Sequence, residues 1–233
     1  MTTRILLHLL LTIILANIIV SSFGAVLHDD TEAFRATGSK RDDNFPARVP
    51  YIFPAPGTDS IADAIRARRP NGTLLALDGV LLNAPLVAST WNSLFGVIRD
   101  NNTIPKIMIE LIILRVAALN GATYEWLQHE SVGRAAGFTT AQLRAIRLTP
   151  ALHQSAKLTK TLGEPIAAVM AFIDWSTKSV KVPDHIFANL RQFFNNQQLV
   201  EVTATVGGYA FVSRFLVALN VDGKKDVSVP IPA

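Results

Sequence analysis

Between residues 60 and 219 the chain reads as helical segments separated by short breaks. It has almost no strand-like alternation of apolar and polar residues, and that confines it to an all-α fold. Residues 60–69 form a short amphipathic helix ended by Pro70. Residues 74–82, broken before Pro85, and 84–99 form a helical pair. Residues 105–119 carry proline near the first turn, where its missing N–H costs nothing. Residues 123–136 end at Gly137, a C-cap type, and 139–147 start afresh with Thr139 as N-cap. Residues 152–176 read as one long helix, kinked or interrupted at Gly163-Glu164-Pro165; residues 183–194 and 196–219 complete the set.

The leader is of a different kind. After Arg4 comes an apolar run from Ile5 to Val20, then Ser21, Ser22, Phe23, Gly24 and Ala25: a charged start, an apolar stretch and a small-residue cleavage site. Residues 1–25 are read as a secretory signal, the alternative being an uncleaved anchor. The run is shorter than the roughly 20 residues that a bilayer span needs, and His8 and Asn17 weaken the anchor further. Residues 26–47, with Asp29, Asp30, Glu32 and the dibasic pair Lys40-Arg41, read as a pro-segment cut after Arg41 or as a solvated linker. On a secretory route Asn71 and Asn101, each in an Asn-X-Thr sequon, would be glycan acceptors. Residues 48–221 are expected to form one domain, followed by a tail at 222–233; the length suffices to bury about 70% of the unfolded surface.

Composition removes several functions. With no cysteine, the chain has no disulfide, no thiolate metal site and no thiol peroxidase or cysteine-nucleophile chemistry. The net charge of +4 is scattered rather than blocked, so nucleic acid is not expected as a partner. No stable membrane span is expected once the signal is removed.

The chemistry is concentrated between Glu110 and His129. Glu110 stands alone among Ile107, Leu111, Ile113 and Leu114: it either faces solvent or is buried with a raised pKa and a partner. Glu125 and His129 are four residues apart and share a helical face. Asn120-Gly121 marks a turn that folds the two helices back and carries Glu110 toward the imidazole. Tyr124, Trp126 and Trp91 are candidates for an apolar substrate wall, with packing in the core as the alternative. Arg115 lies five residues beyond Glu110 and off its face, so it either pairs with an acid elsewhere or binds a substrate carboxylate at a subunit boundary. His153 and His185 have no flanking partners and are read as structural. Two carboxylates and one histidine lack the paired-histidine spacing of a metal site, so no metal is expected.

The same stretch resembles the carboxymuconolactone decarboxylase and AhpD-like superfamily. In its peroxidase branch the motif runs Glu, eleven residues, Cys, two residues, Cys, three residues, His; from Glu110 this places Ala122 and Glu125 at the cysteine positions and His129 at the histidine. The wording I-E-L-I-I-L-R-V-A, Y-E-W-L-Q-H-E, G-R-A-A-G-F-T and, downstream, Q-Q-L-V-E-V-T-A-T-V-G-G-Y-A-F-V-S-R-F-L-V-A-L resembles the decarboxylase-like branch. The resemblance implies an AhpD-like helical bundle, self-association as a trimer or hexamer, and Glu110, Glu125 and His129 as catalytic residues. It also implies that the 196–219 helix packs over the site, with Gly207 and Gly208 marking close helix approach.

With no Schiff-base lysine in the motif and no cofactor fingerprint, the electron sink for a decarboxylation must lie in the substrate, and no cofactor is expected. His129 would protonate or polarise the substrate, Glu110 would hold or relay the proton, and Glu125 would orient the imidazole. Tautomerisation, lactone opening or dehydration would use the same groups. The aromatic wall points to a ligand larger than a small dicarboxylate. Together with a secretory signal it favours fungal-type specialised metabolism or extracellular aromatic breakdown. The competing class is a non-catalytic helical oligomer that binds a small apolar ligand or a partner.

Overall fold

One helix is apolar on every side, and the rest of the protein is arranged to cover it. In the computed structural model, which describes residues 46–69 and 71–233, this helix runs Lys106–Asn120, and every residue from Met108 to Ala117 is buried. A helix without a polar face has only the middle of a bundle open to it. The signal, the Lys40-Arg41 pair and nearly all of the pro-segment lie outside the described residues.

The described helices are α1 Ser60–Ala67, α2 Ala76–Leu81, α3 Pro85–Asp100, α4 Lys106–Asn120, α5 Thr123–Ala135, α6 Thr140–Leu148, α7 Ala156–Leu162, α8 Glu164–Ser179, α9 Asp184–Leu190 and α10 Asn196–Ala218. No strand occurs among the described residues, so the all-α expectation holds. The central α4 touches α10, α5, α8 and α6, while α3 packs on α10 and carries α1 and α2.

Local signals end most elements where expected. Thr139 caps α6, its hydroxyl accepting from the Gln142 N–H while the Gln142 side chain accepts from the Thr139 N–H. The stretch 152–176 is interrupted where expected, because Gly163 adopts φ 86° and ψ 153°, a conformation open only to glycine, two residues before Pro165. At the corner between α4 and α5, Gly121 takes φ 65°, and the Asn120 amide donates to Ser213 Oγ on α10.

The expected tail is part of the domain. Val229 is buried, and residues 227–233 lie across α5 and α6, where Thr123 donates to the Val227 carbonyl, Arg147 to Val229, Arg144 to Pro232 and Arg134 to Ala233. The exposed carbonyls of an extended terminal strap are met by arginine forks from two helices. The helix α10 is long and apolar enough to cross a membrane by length and composition. Its buried residues, from Leu199 to Leu216, form the side turned to the bundle.

Candidate active site

The positions of Glu110 and His129 follow from how closely α4 and α5 approach. A Cβ at Gly133 would come within 2.8 Å of the buried Leu114 Cδ1 and 3.9 Å of the Glu110 Cβ, so only glycine lets α5 lie this near α4. One turn earlier, His129 Nδ1 sits 2.9 Å from Glu110 Oε2. Glu110 is wholly buried, and its other oxygen has only the Lys106 ammonium nearby, at 3.6 Å, with no hydrogen bond. A carboxylate only accepts, so the imidazole carries its proton on Nδ1 and leaves Nε2 free. Removal from water holds the His129 pKa below its ordinary value, against the opposing pull of Glu110. Tyr209 of α10 packs edge-on against the imidazole, with centroids 5.7 Å apart at 86°.

Glu125 does not fill the role expected of it. It is buried, and neither carboxyl oxygen has a hydrogen-bond partner; it contacts neither His129 nor Glu110 by hydrogen bond. Burial alone pushes its pKa well above the ordinary carboxyl range, which favours the protonated form of the group. The imidazole is oriented by Glu110 instead.

The proton on Glu125 has a thermodynamic signature. The folded chain holds it more tightly than the unfolded chain, so this contribution to stability is greatest below the unfolded carboxyl pKa of about 4.3 and is lost as pH rises toward the raised folded value. Glu125→Gln, which mimics the protonated form, is therefore expected to melt with the wild type at about pH 4 and progressively above it toward pH 8. Thermal melts across that range check this. Equal melting at every pH would mean that Glu125 ionises in the fold as freely as in water.

His129 and Glu125 share one cavity of about 140 Å³. Its walls come from the segment just after α1 (Arg68, Arg69), α2 (Leu77, Asp78, Leu81), α3 (Trp91, Phe95, Arg99), α5 and α10 (Tyr209, Val212, Leu216). An apolar cavity of about 150 Å³ holds benzene, so this one takes roughly one ring. The α1 segment is latched over it: the Arg68 guanidinium donates to the Asn92 carbonyl at 2.7 Å, to Asn92 Oδ1 at 2.8 Å and to Asp100 at 2.8 Å.

Of the expected substrate-binding residues Tyr124, Trp126, Trp91 and Arg115, the cavity keeps Trp91. Trp126 is wholly buried in the core, its indole N–H donating to Glu130 at 2.7 Å. Tyr124 is buried with its hydroxyl against the Leu77 N–H, and burial raises its pKa to about 12. Arg115 resolves to the pairing reading: its Nε and Nη2 bind Asp174 at 2.6 and 2.8 Å, and Nη1 takes the Ile146 and Thr149 carbonyls at the end of α6. Gly208 does mark close approach, since a Cβ there would meet Ile98 at 3.0 Å, whereas Gly207 faces open space. The residues missed from sequence are Tyr209, Phe95 and Arg99. Tyr209 had one available signal, the glycine-aromatic run of α10 that echoes α4–α5.

A second cleft, of about 310 Å³, is lined by the exposed His153, Gln154 and Glu164; Asp174, its buried acid, is already bound to Arg115. Among the described residues, the cavity holding Glu125 and His129 has a buried carboxyl group without a partner and a buried imidazole bonded through one nitrogen.

Residues 85–163, which contain Glu110, Glu125 and His129, match the Carboxymuconolactone decarboxylase family. No curated protein sequence matches the chain. Among solved structures, a protein of unknown function from Agrobacterium tumefaciens, titled as a candidate antioxidant defence protein AhpD, is similar at 19% identity and a TM-score of 0.51, over 60% of this chain and 92% of that one. The debrominase Bmp8, an alanine-for-cysteine variant in complex with 2,3,4-tribromopyrrole, is similar at 16% identity and a TM-score of 0.58, over 78% of this chain and 91% of that one. The fold is thus AhpD-like and the matched segment carboxymuconolactone decarboxylase-like, in a chain that lacks the redox cysteines.

Proposed function

We propose that this carboxymuconolactone decarboxylase-like chain of AhpD-like fold is a cofactor-independent proton-transfer enzyme, acting as a decarboxylase or an enol or lactone isomerase on a carboxylated lactone or ketone of about one ring. The observation that carries this reading is a buried carboxyl group and a buried imidazole facing one small cavity. Burial raises the pKa of Glu125 and lowers that of His129, so each is shifted toward its neutral form, an acid beside a base. In decarboxylation the bond to the carboxylate breaks, its electron pair moves into the conjugated carbonyl, and Glu125 protonates the oxygen or carbon where the charge collects. In isomerisation His129 Nε2 removes the proton next to the carbonyl and Glu125 returns one elsewhere. Glu110 holds the imidazole in the tautomer that leaves Nε2 as the base.

The test is a panel of carboxylated five-membered lactones and cyclic β-keto acids incubated with the chain in D₂O and followed by NMR for loss of carboxylate or uptake of deuterium. Turnover of at least one member, reduced about 10²–10⁴-fold in His129→Gln and in Glu125→Gln, supports the reading. Turnover unchanged in both variants, with their folds intact, rejects it.

Self-association is part of the proposal. Val200, Ala204, Gly207 and Phe211 form an exposed stripe along α10, and Leu86 and Val97 are exposed beside it on α3, with Leu86 at 83% and Val200 at 69%. A second copy of the chain would cover this face as a trimer or hexamer. Light scattering is expected to find an oligomer at micromolar concentration and a smaller species for Phe211→Asp. A wild-type monomer would overturn this. The secretory route remains a proposal resting on the leader and on the exposure of both sequon residues, Asn71 and Asn101.

A further inference from the structure

Three arginines line the cavity, and two of them already have partners. Arg68 latches α1 to Asn92 and Asp100, and Arg69 holds the buried Asp78 through two bonds, at 3.2 and 2.5 Å. The third, Arg99 in the last turn of α3, makes no hydrogen bond or ion pair among the described residues, and its Nε is buried without an acceptor. The carboxylates near it are not available: Asp100 belongs to Arg68, and the Glu125 oxygens have no partner at all. The side chain is half-buried, so the cost falls on the Nε, a donor held out of water without an acceptor, and the planar fork of donors fits a carboxylate in two-point contact. Elsewhere on the wall Trp91, Phe95, Leu81 and Leu216 offer hydrocarbon and aromatic faces, beside the polar Asn92 and Gln128.

We infer that Arg99 is the anchor for the anionic end of the ligand, a ring-sized monocarboxylate whose apolar body lies against Trp91 and Phe95 and whose reacting carbon is thereby placed beside His129. This deepens the proton-transfer reading and rests on it only for the claim that the bound anion is a substrate; binding itself needs no turnover. The positive charge of Arg99 is felt at His129 and Tyr209, lowering the pKa of each, so an anion seated on Arg99 would raise the His129 pKa. A role for Arg99 confined to the C-terminal end of the α3 dipole would produce no such coupling.

The test uses the whole chain with benzoate and, as its uncharged counterpart, benzamide. Affinities are measured by calorimetry, and the His129 pKa by NMR titration with and without saturating benzoate. Benzoate is expected to bind at least about tenfold more tightly than benzamide and to raise the His129 pKa. Arg99→Gln is expected to remove both the preference and the shift while benzamide affinity is unchanged, and Arg99→Lys to restore part of the preference. Equal binding of the two probes, no binding of benzoate, or benzoate affinity unchanged in Arg99→Gln each overturns the inference. Unchanged turnover in His129→Gln and Glu125→Gln would instead remove the proton-transfer reading and leave an anion-binding cavity.

Discussion

Glu110→Gln is expected to lower the turnover of any substrate the panel identifies by about 10²–10⁴-fold while the fold persists. The amide keeps the shape of the carboxyl group but offers a donor as well as an acceptor, so it no longer dictates which imidazole nitrogen carries the proton. Nε2 is then the base in only part of the population. Glu110 also raises the His129 pKa through its hydrogen bond and its charge, so removing the charge lowers that pKa further. The base is active when unprotonated, and the acid limb of the pH–rate profile should therefore move to lower pH. A rate and an acid limb both equal to those of the wild type would show that Glu110 does not orient His129.

Arg115→Ala is expected to destabilise the protein by about 3–5 kcal/mol without touching the cavity. Arg115 and Asp174 are both buried, at 1% each, and Asp174 also accepts from the Leu152 N–H at 2.8 Å. Deleting the guanidinium leaves a carboxylate in the core with one backbone donor, and it frees the carbonyls of Ile146 and Thr149 at the end of α6. Denaturant unfolding would measure the loss. Arg115→Ala with Asp174→Ala together should recover part of it, because no charge is then stranded. Should Arg115→Ala unfold at the wild-type midpoint, the pair contributes nothing to stability and the helix end is held by other means.

The helices and their ends were legible in the sequence where the signal is local. Thr139 with Gln142, Gly121 in its left-handed conformation and Gly163 before Pro165 each act over a few residues, and each lies where its residue type requires. The pairing of Glu110 with His129 was also within reach, because the two are 19 residues apart across a single readable turn. The partner of Arg115 was not, since Asp174 is 59 residues away and any acid in the chain could have served. Tyr209 and Arg99 were missed for the same reason: they come to His129 from α10 and α3 through packing alone. Trp126 and Tyr124 were misplaced because an aromatic residue beside a candidate histidine reads alike from sequence whether it faces a cavity or the core. The strap at 227–233 escaped because its partners are carbonyls, which every residue carries.

By itself the sequence determined the chemistry this protein has at its disposal: no thiol, one histidine flanked by acids, and an AhpD-like set of helices. The tertiary structure decided which acid does what. Glu110 and Glu125 are the same residue type, each bordered by apolar or aromatic neighbours, and nothing local distinguishes them. Packing gives Glu110 an imidazole and a lysine, and gives Glu125 no hydrogen-bond donor, so one holds the imidazole and the ionisation of the other is disfavoured. The free energy of a buried carboxyl group depends on what surrounds it in three dimensions, and those neighbours are assembled from helices distant in the chain.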